Sequence, residues 1–208
     1  MSDNAEQPRI HVSDLEVHFH SAKGRVHALG PLNLDIRDRE FMSVVGPSGC
    51  GKSTFLRILG GLITPSAGTV DLSFTGSSET RISTVFQDFG ILPWKTVIAN
   101  VQFGLRMRGT PRKEARDIAM HWIQRAGLAG FENSYPSQLS GGMRQRVAIA
   151  RAFAVDPEVL LLDQPFASLD AQMREVMQEE LLQLCRAGER TVVLITHSLD
   201  EAVLLVTG

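Results

Sequence analysis

Strand-like apolar patterns run through 10–19 and 32–36, then recur as short runs at 41–45, 69–74, 82–86, 159–163 and 191–196. The last two, VLLLD and TVVLIT, are nearly continuous in apolar residues, as strands are when both faces are covered, and are expected at the centre of a parallel sheet. Between Gln87 and Leu139 strand signals stop. Apolar residues there fall at helical spacing in 97–107 and 111–126, with Pro111 placed where a helix starts. In 171–187, Met173, Met177, Leu181 and Leu184 follow at four, four and three residues, which sets them on one helix face and predicts core packing. Residues 1–9 are polar and include Pro8, predicting a loose lead-in; the Gly/Ser stretch at 75–80 predicts a loop between strands. No internal repeat or low-complexity tract interrupts this order.

From Phe41 the chain runs as strand, glycine-rich loop and helix: FMSVV, GPSGCGKS, TFLRILGGL. That is the layout of an α/β nucleotide fold. Gly46, Pro47, Ser48, Gly49, Cys50, Gly51, Lys52 and Ser53 fit the P-loop pattern in full, in the context the motif requires. The glycines let successive backbone N–H groups turn onto phosphate oxygens, and the helix expected to start near Gly51 adds its positive end. Lys52 would reach the β- and γ-phosphates, Ser53 would ligate Mg²⁺, and Thr54 would lie near the α-phosphate. An ordinary glycine-rich turn requires neither a lysine nor a hydroxyl at those two places. Cys50 reads as a small loop residue.

Composition narrows the partners. The 208 residues carry a formal net charge of −2 and a pI near 6.3, so no bulk positive field exists to hold nucleic acid or an acidic bilayer. No apolar run approaches the roughly eighteen residues of a spanning helix, and the start MSDNAEQPRI lacks the plan of a secretory signal, so the chain is expected in the cytosol. The two cysteines, Cys50 and Cys185, are expected as reduced thiols.

Leu139-Ser140-Gly141-Gly142-Met143, followed by RQRVAIARA, resembles the signature of ABC transporter ATP-binding subunits, a motif other P-loop families lack. The remaining landmarks fall in order: Gln87 in VFQD, VLLLD ending at Asp163, Ser168-Leu169-Asp170, and His197 in ITHS. The resemblance covers about residues 10 to 203. It implies an α/β P-loop NTPase of ABC type, with a mostly parallel central sheet, an N-terminal antiparallel β subdomain and a helical insert. One domain over 1–208 is expected, with a core from about 10–86 and 140–208 and a helical part from about 88–138.

The resemblance also implies that ATP lies between two subunits, the P-loop of one facing the signature of the other. The partner would be a second copy of the chain, or a paralogous subunit, in a head-to-tail dimer. Ser140, Gly141 and Gly142 stand at a helix start, an anion-binding end as well as a simple N-cap. Asp170 would lie at the dimer seam, or equally serve as the N-cap before AQMREV. Asp163 matches the Walker B aspartate that holds Mg²⁺ directly or through water. Gln87 matches the residue that ligates Mg²⁺ or the attacking water, and His197 the switch histidine at the γ-phosphate. His11, His18, His20, His27 and His121 are expected at the surface or in structural roles. Phe19 resembles the aromatic that stacks on adenine, although the spacer HSAKGRVHAL after it is long and His20 could compete.

One position departs from the family. A glutamate that polarises the attacking water is expected after the Walker B aspartate, and this chain has Gln164. A carboxamide keeps the size and can hydrogen-bond water but cannot accept its proton, a loss of about 10²–10⁴-fold in rate. Binding of ATP and Mg²⁺ should survive while hydrolysis falls. Either Gln164 is a substitution that traps the ATP-bound dimer, or the site is a naturally degenerate one that binds ATP as a signal; the intact remainder of the site favours the first. The chain is also expected to be short at its C-terminal end for the family.

ILPWKTVIANVQFGL, GMRQRVAIARA and PFASLDAQMREVMQEEL resemble importers of nitrate, sulfonates and taurine. That implies transmembrane permease subunits, a solute-binding protein acting indirectly, no nucleic acid, and a place on the cytoplasmic face of the membrane. The apolar segment Phe89–Trp94 near Gln87 is a candidate permease-docking face, with core packing as the alternative. An exporter or lipid-transporter subunit is the first rival. A soluble ABC clamp is the second, opposed by the single cassette and the lack of heptads.

Overall fold

The computed structural model describes residues 8–21, 24–74, 81–186 and 190–207. In chain order the elements are β1 (Ile10–Ser21), β2 (Gly24–Ile36), β3 (Phe41–Val45), α1 (Lys52–Leu59), β4 (Ala67–Leu72) and β5 (Ile82–Val85). They are followed by α2 (Val97–Met107), α3 (Arg112–Arg125), α4 (Gly141–Ala154), β6 (Val159–Asp163), α5 (Ala171–Arg186), β7 (Thr191–Thr196) and α6 (Leu199–Thr207).

The two apolar runs are the central strands, as their patterns predict. β6 and β7 are buried at every position and pair in parallel with Asp163 opposite Ile195. β3 flanks β7 and β5 flanks β6, giving a four-stranded parallel sheet in the order β3-β7-β6-β5. Alternate residues of the central strands feed two cores. Leu160, Leu162, Val192 and Leu194 point into a cluster with residues of α2 to α5, while Val159, Leu161, Val193 and Ile195 meet α1 and the N-terminal strands. Each such Leu, Val or Ile contributes about 1.5–3 kcal/mol when fully buried, so both faces must be covered for the sheet to persist.

The second sheet is antiparallel, in the order β2-β1-β4. Ile10, Val12, Leu15 and Val17 of β1 are buried in the core shared with Phe55, Leu56, Ile58 and Leu59 of α1. On the other side of the parallel sheet α2, α3 and α4 pack on one another, with buried Val101 and Leu105, Ala119 and Ile123, and Val147 and Ala150 supplying their faces. Met177 and Leu181 of α5 are buried there and Met173 and Leu184 pack against them, so the methionine stripe is core.

Two expectations change, and one element is new. The spacer HSAKGRVHAL is largely strand: β2 runs from Gly24 to Ile36 and pairs back on β1, with Ser21 opposite Gly24. It carries no apolar run because β2 is an edge strand with one open face. The lead-in is not loose at its end, since Arg9 is only 4% exposed and ion-paired with Glu158; a charge whose partner lies 149 residues away carries no local signal. α6, which no sequence pattern predicted, follows directly on His197 and Ser198. The loop expected at 75–80 lies outside the described residues.

Candidate nucleotide site

The P-loop runs from the end of β3 to the start of α1. Gly51 caps that helix in the left-handed region, at φ 96°, and a Cβ there would sit 2.4 Å from the Ala28 carbonyl of β2. Glycine is required on both counts. Lys52 is 8% exposed, and its Nζ donates to the Gly46 carbonyl at 2.8 Å and the Pro47 carbonyl at 2.7 Å, with Cys50 Sγ at 3.6 Å. The loop is thus wrapped on its own ammonium group.

In front of it lies a cavity of about 570 Å³. Ser48, Gly49, Gly51, Lys52, Ser53 and Thr54 line it from the loop; Gln87, Gln164 and His197 line it from the ends of the parallel strands. Parallel pairing places those strand ends side by side, which is where ligands bind in open α/β sheets.

Asp163 closes β6. It is 3% exposed, and among the described residues its Oδ1 has no hydrogen-bond partner, an arrangement that is costly for a carboxylate unless a cation meets it. Asp163 is not among the residues that line the cavity, whereas Ser53 and Gln87 are; a carboxylate, a hydroxyl and a carboxamide are all oxygen donors, the type a hard divalent cation such as Mg²⁺ takes. These residues fit that ion.

Gln164 follows at φ 50°. Its backbone N–H donates to the Ile195 carbonyl at 2.9 Å and its carbonyl accepts from Ala167 N–H at 3.3 Å, so the turn is tied to β7. Its side-chain Nε2 lies 3.0 Å from His197 Nε2. The two residues are 33 apart in sequence and are brought together by the β6–β7 register.

Other expected site residues lie elsewhere. Gly46, Pro47 and Cys50 serve the lysine and do not line the cavity. Ser140 caps α4, its Oγ accepting from Met143 N–H at 3.2 Å. Gly141 has open space before it, and Gly142 passes close to the Ser168 carbonyl. Asp170 caps α5, accepting from Met173 N–H at 3.0 Å. None of these four lines the cavity of its own chain. Phe19 is 44% exposed, stands opposite Val26 in the β1–β2 register and is not among the lining residues. The side chain of His20 lies outside the described residues.

Sequence reasoning missed Val26, His27 and Ala28 of β2, which line the cavity. The His27 ring stacks on His18, with centroids 4.8 Å apart. Only the hairpin register puts His27 there, so no local pattern marks it. The docking segment divides: Trp94 is 69% exposed, whereas Phe89 packs against the core and lies under the Arg144 guanidinium. Core packing therefore accounts for Phe89 and not for Trp94.

The ABC transporter family model matches residues 29–167. An uncharacterised ABC transporter ATP-binding protein of Methanocaldococcus jannaschii is 48% identical over 95% of this chain and 74% of its own length. The taurine import ATP-binding protein TauB of Yersinia pestis is 50% identical over 86% of this chain and 71% of its own. The nitrate import ATP-binding protein NrtD of Synechocystis is 43% identical over 94% and 74%. Among solved structures, the dimeric bacterial ABC transporter cassette MJ0796 matches with a TM-score of 0.87 at 35% identity, over 93% of this chain and 90% of that one. The same cassette bound to ADP and Pi matches with a TM-score of 0.84. On this likeness of sequence and fold, the chain belongs to the ABC transporter family, as one of its ATP-binding subunits.

Proposed function

We propose that this subunit binds Mg-ATP, closes head-to-tail with a second cassette around it, and energises solute import through membrane permease subunits, with hydrolysis held low by Gln164. The observation that carries the reading is a cavity onto which the P-loop, Gln87, Gln164 and His197 converge. The importer assignment rests on the taurine and nitrate import relatives.

In this reading Lys52 leaves the Gly46 and Pro47 carbonyls to meet the β- and γ-phosphate oxygens, while backbone N–H groups of the loop and the α1 N-terminus hold the remaining charge. Ser53, Gln87 and Asp163 would hold Mg²⁺, which when bound would supply charge neutralisation for the phosphates. Gln164 positions water by hydrogen bonding but takes no proton from it. Ser140, Gly141 and Gly142 do not line the cavity of their own chain, which supports their use by a partner's nucleotide; Asp170 serves as a helix cap and as a seam residue at once. Trp94, exposed in the segment that follows Gln87 in sequence, belongs to the permease-docking face, and the subunit sits at the cytoplasmic face of the membrane through that contact.

The test is turnover and dimerisation with Mg-ATP. The chain should form a dimer and turn over slowly, and Gln164→Glu should raise turnover about tenfold or more at little change in ATP affinity. Unchanged turnover in a preparation that dimerises would overturn the hydrolysis assignment. Trp94→Ala should weaken capture by the permease while leaving ATP binding intact; a loss of ATP binding as well would reject the docking role.

A further inference from the structure

Resting on the reading just given, we infer that Gln164 does more than lack a basic oxygen: its carboxamide fixes the tautomer of His197. Nε2 of Gln164 is the amide nitrogen, a donor, and it lies 3.0 Å from Nε2 of the imidazole. A neutral imidazole has one protonated and one bare ring nitrogen. The nitrogen that accepts from the amide is bare, so the ring proton sits on Nδ1.

The pair is held by more than its own contact. The Gln164 backbone is tied to Ile195 and Ala167, and Asp163 is paired with Ile195 in the sheet. On the other strand, Ser198 N–H donates to Thr196 Oγ1 at 3.1 Å, which sets the turn carrying His197. Among the described residues, the Gln164 contact is the only hydrogen bond to this ring. Both side chains also line a second cavity, about 500 Å³, toward α5 and α6.

A glutamate in the same place has only acceptor oxygens at neutral pH. It would require Nε2 of His197 to carry the proton, the tautomer in which that nitrogen, once turned from the carboxylate, can donate toward a phosphate oxygen. Gln164 therefore acts on two groups. It removes the proton acceptor at its own position and, as a positioning residue, withdraws the Nε2 donor of His197. The amide seated the other way round, with Oε1 accepting from a protonated Nε2, would leave the histidine as the glutamate does, and the two seatings are distinguishable by experiment.

The imidazole ¹⁵N–¹H correlations of the nucleotide-free chain, recorded at about pH 8 where an ordinary imidazole is neutral, read the tautomer directly; His197→Ala identifies the signal. The expected result is Nδ1–H in the native chain and Nε2–H in Gln164→Glu, with Gln164→Ala also losing the Nδ1–H signal. An Nε2–H signal in the native chain overturns the inference, as does Nδ1–H retained in Gln164→Ala. In turnover, His197→Ala should cost about tenfold or more in the Gln164→Glu background and a clearly smaller factor in the native one; equal factors would also overturn it. Mg-ATP affinity, titrated separately, tests the underlying reading, so a failure of one is not mistaken for a failure of the other.

Discussion

The Cys185 thiol is packed against the larger core, and burial pushes its pKa up to about 11. Cys50 is exposed in the P-loop, beside Lys52. Since the thiolate is the reactive species, an alkylating reagent near pH 8 should label Cys50 and spare Cys185, with Cys185 reacting only as pH approaches its raised pKa or after unfolding. Mass spectrometry of the labelled chain checks this; equal labelling at both would show that packing on α5 does not shield Cys185. Single residues with defined chemistry were legible without the fold. Lys52, Ser53, Asp163 and Gln164 announce themselves by motif and spacing. His27 does not, because its place in the cavity depends on a strand pairing, and Arg9 does not, because its partner is remote in sequence.

Asn100 of α2 shows how an element organises a neighbouring loop. It is fully buried; its Oδ1 accepts from Leu92 N–H at 2.7 Å, and its Nδ2 lies within 3.1 Å of the Leu92 carbonyl, 2.9 Å of Lys95 and 3.0 Å of Thr96. The side chain thus replaces backbone partners for the segment that presents Trp94. Asn100→Ala should destabilise by about 2–4 kcal/mol, since it strands buried polar groups, and lower Tm by roughly 5–15 °C. A shift under a degree, read by calorimetry, would show that the loop finds other partners. Here sequence went far. The α2 limits follow from helical spacing, and Ser140 and Asp170 were both readable as caps; the Thr96 cap, whose side chain accepts from Ala99 N–H, was not read. Edge strand β2 was underestimated because its exposed residues do not alternate.

Arg9 joins the two sheets. Its guanidinium pairs with Asp38 and, at 3.1 Å, with Glu158, and it donates to the Ser73 carbonyl at 2.6 Å beyond β4. Glu158 is 6% exposed and also pairs with Arg81, whose side chain is 48% exposed. Removing one member of a buried pair leaves a desolvated charge, so Glu158→Ala should cost about 3–5 kcal/mol. Arg81→Ala, at the solvated end, should cost about 1 kcal/mol or less. Urea midpoints of the two variants make the comparison, and equal losses would refute a cluster anchored at its buried end.

Sequence by itself determined the parallel core, the P-loop, the order of the family landmarks and the departure at Gln164, because each is written in local spacing or in residues whose chemistry has few other uses. The tertiary structure decided what depends on distance along the chain: the β1–β2 register that brings His27 to the cavity, the Arg9–Glu158 tie between sheets, and the contact of Gln164 with His197. Those pairings form only once the sheets are assembled, since each joins groups that no local pattern relates.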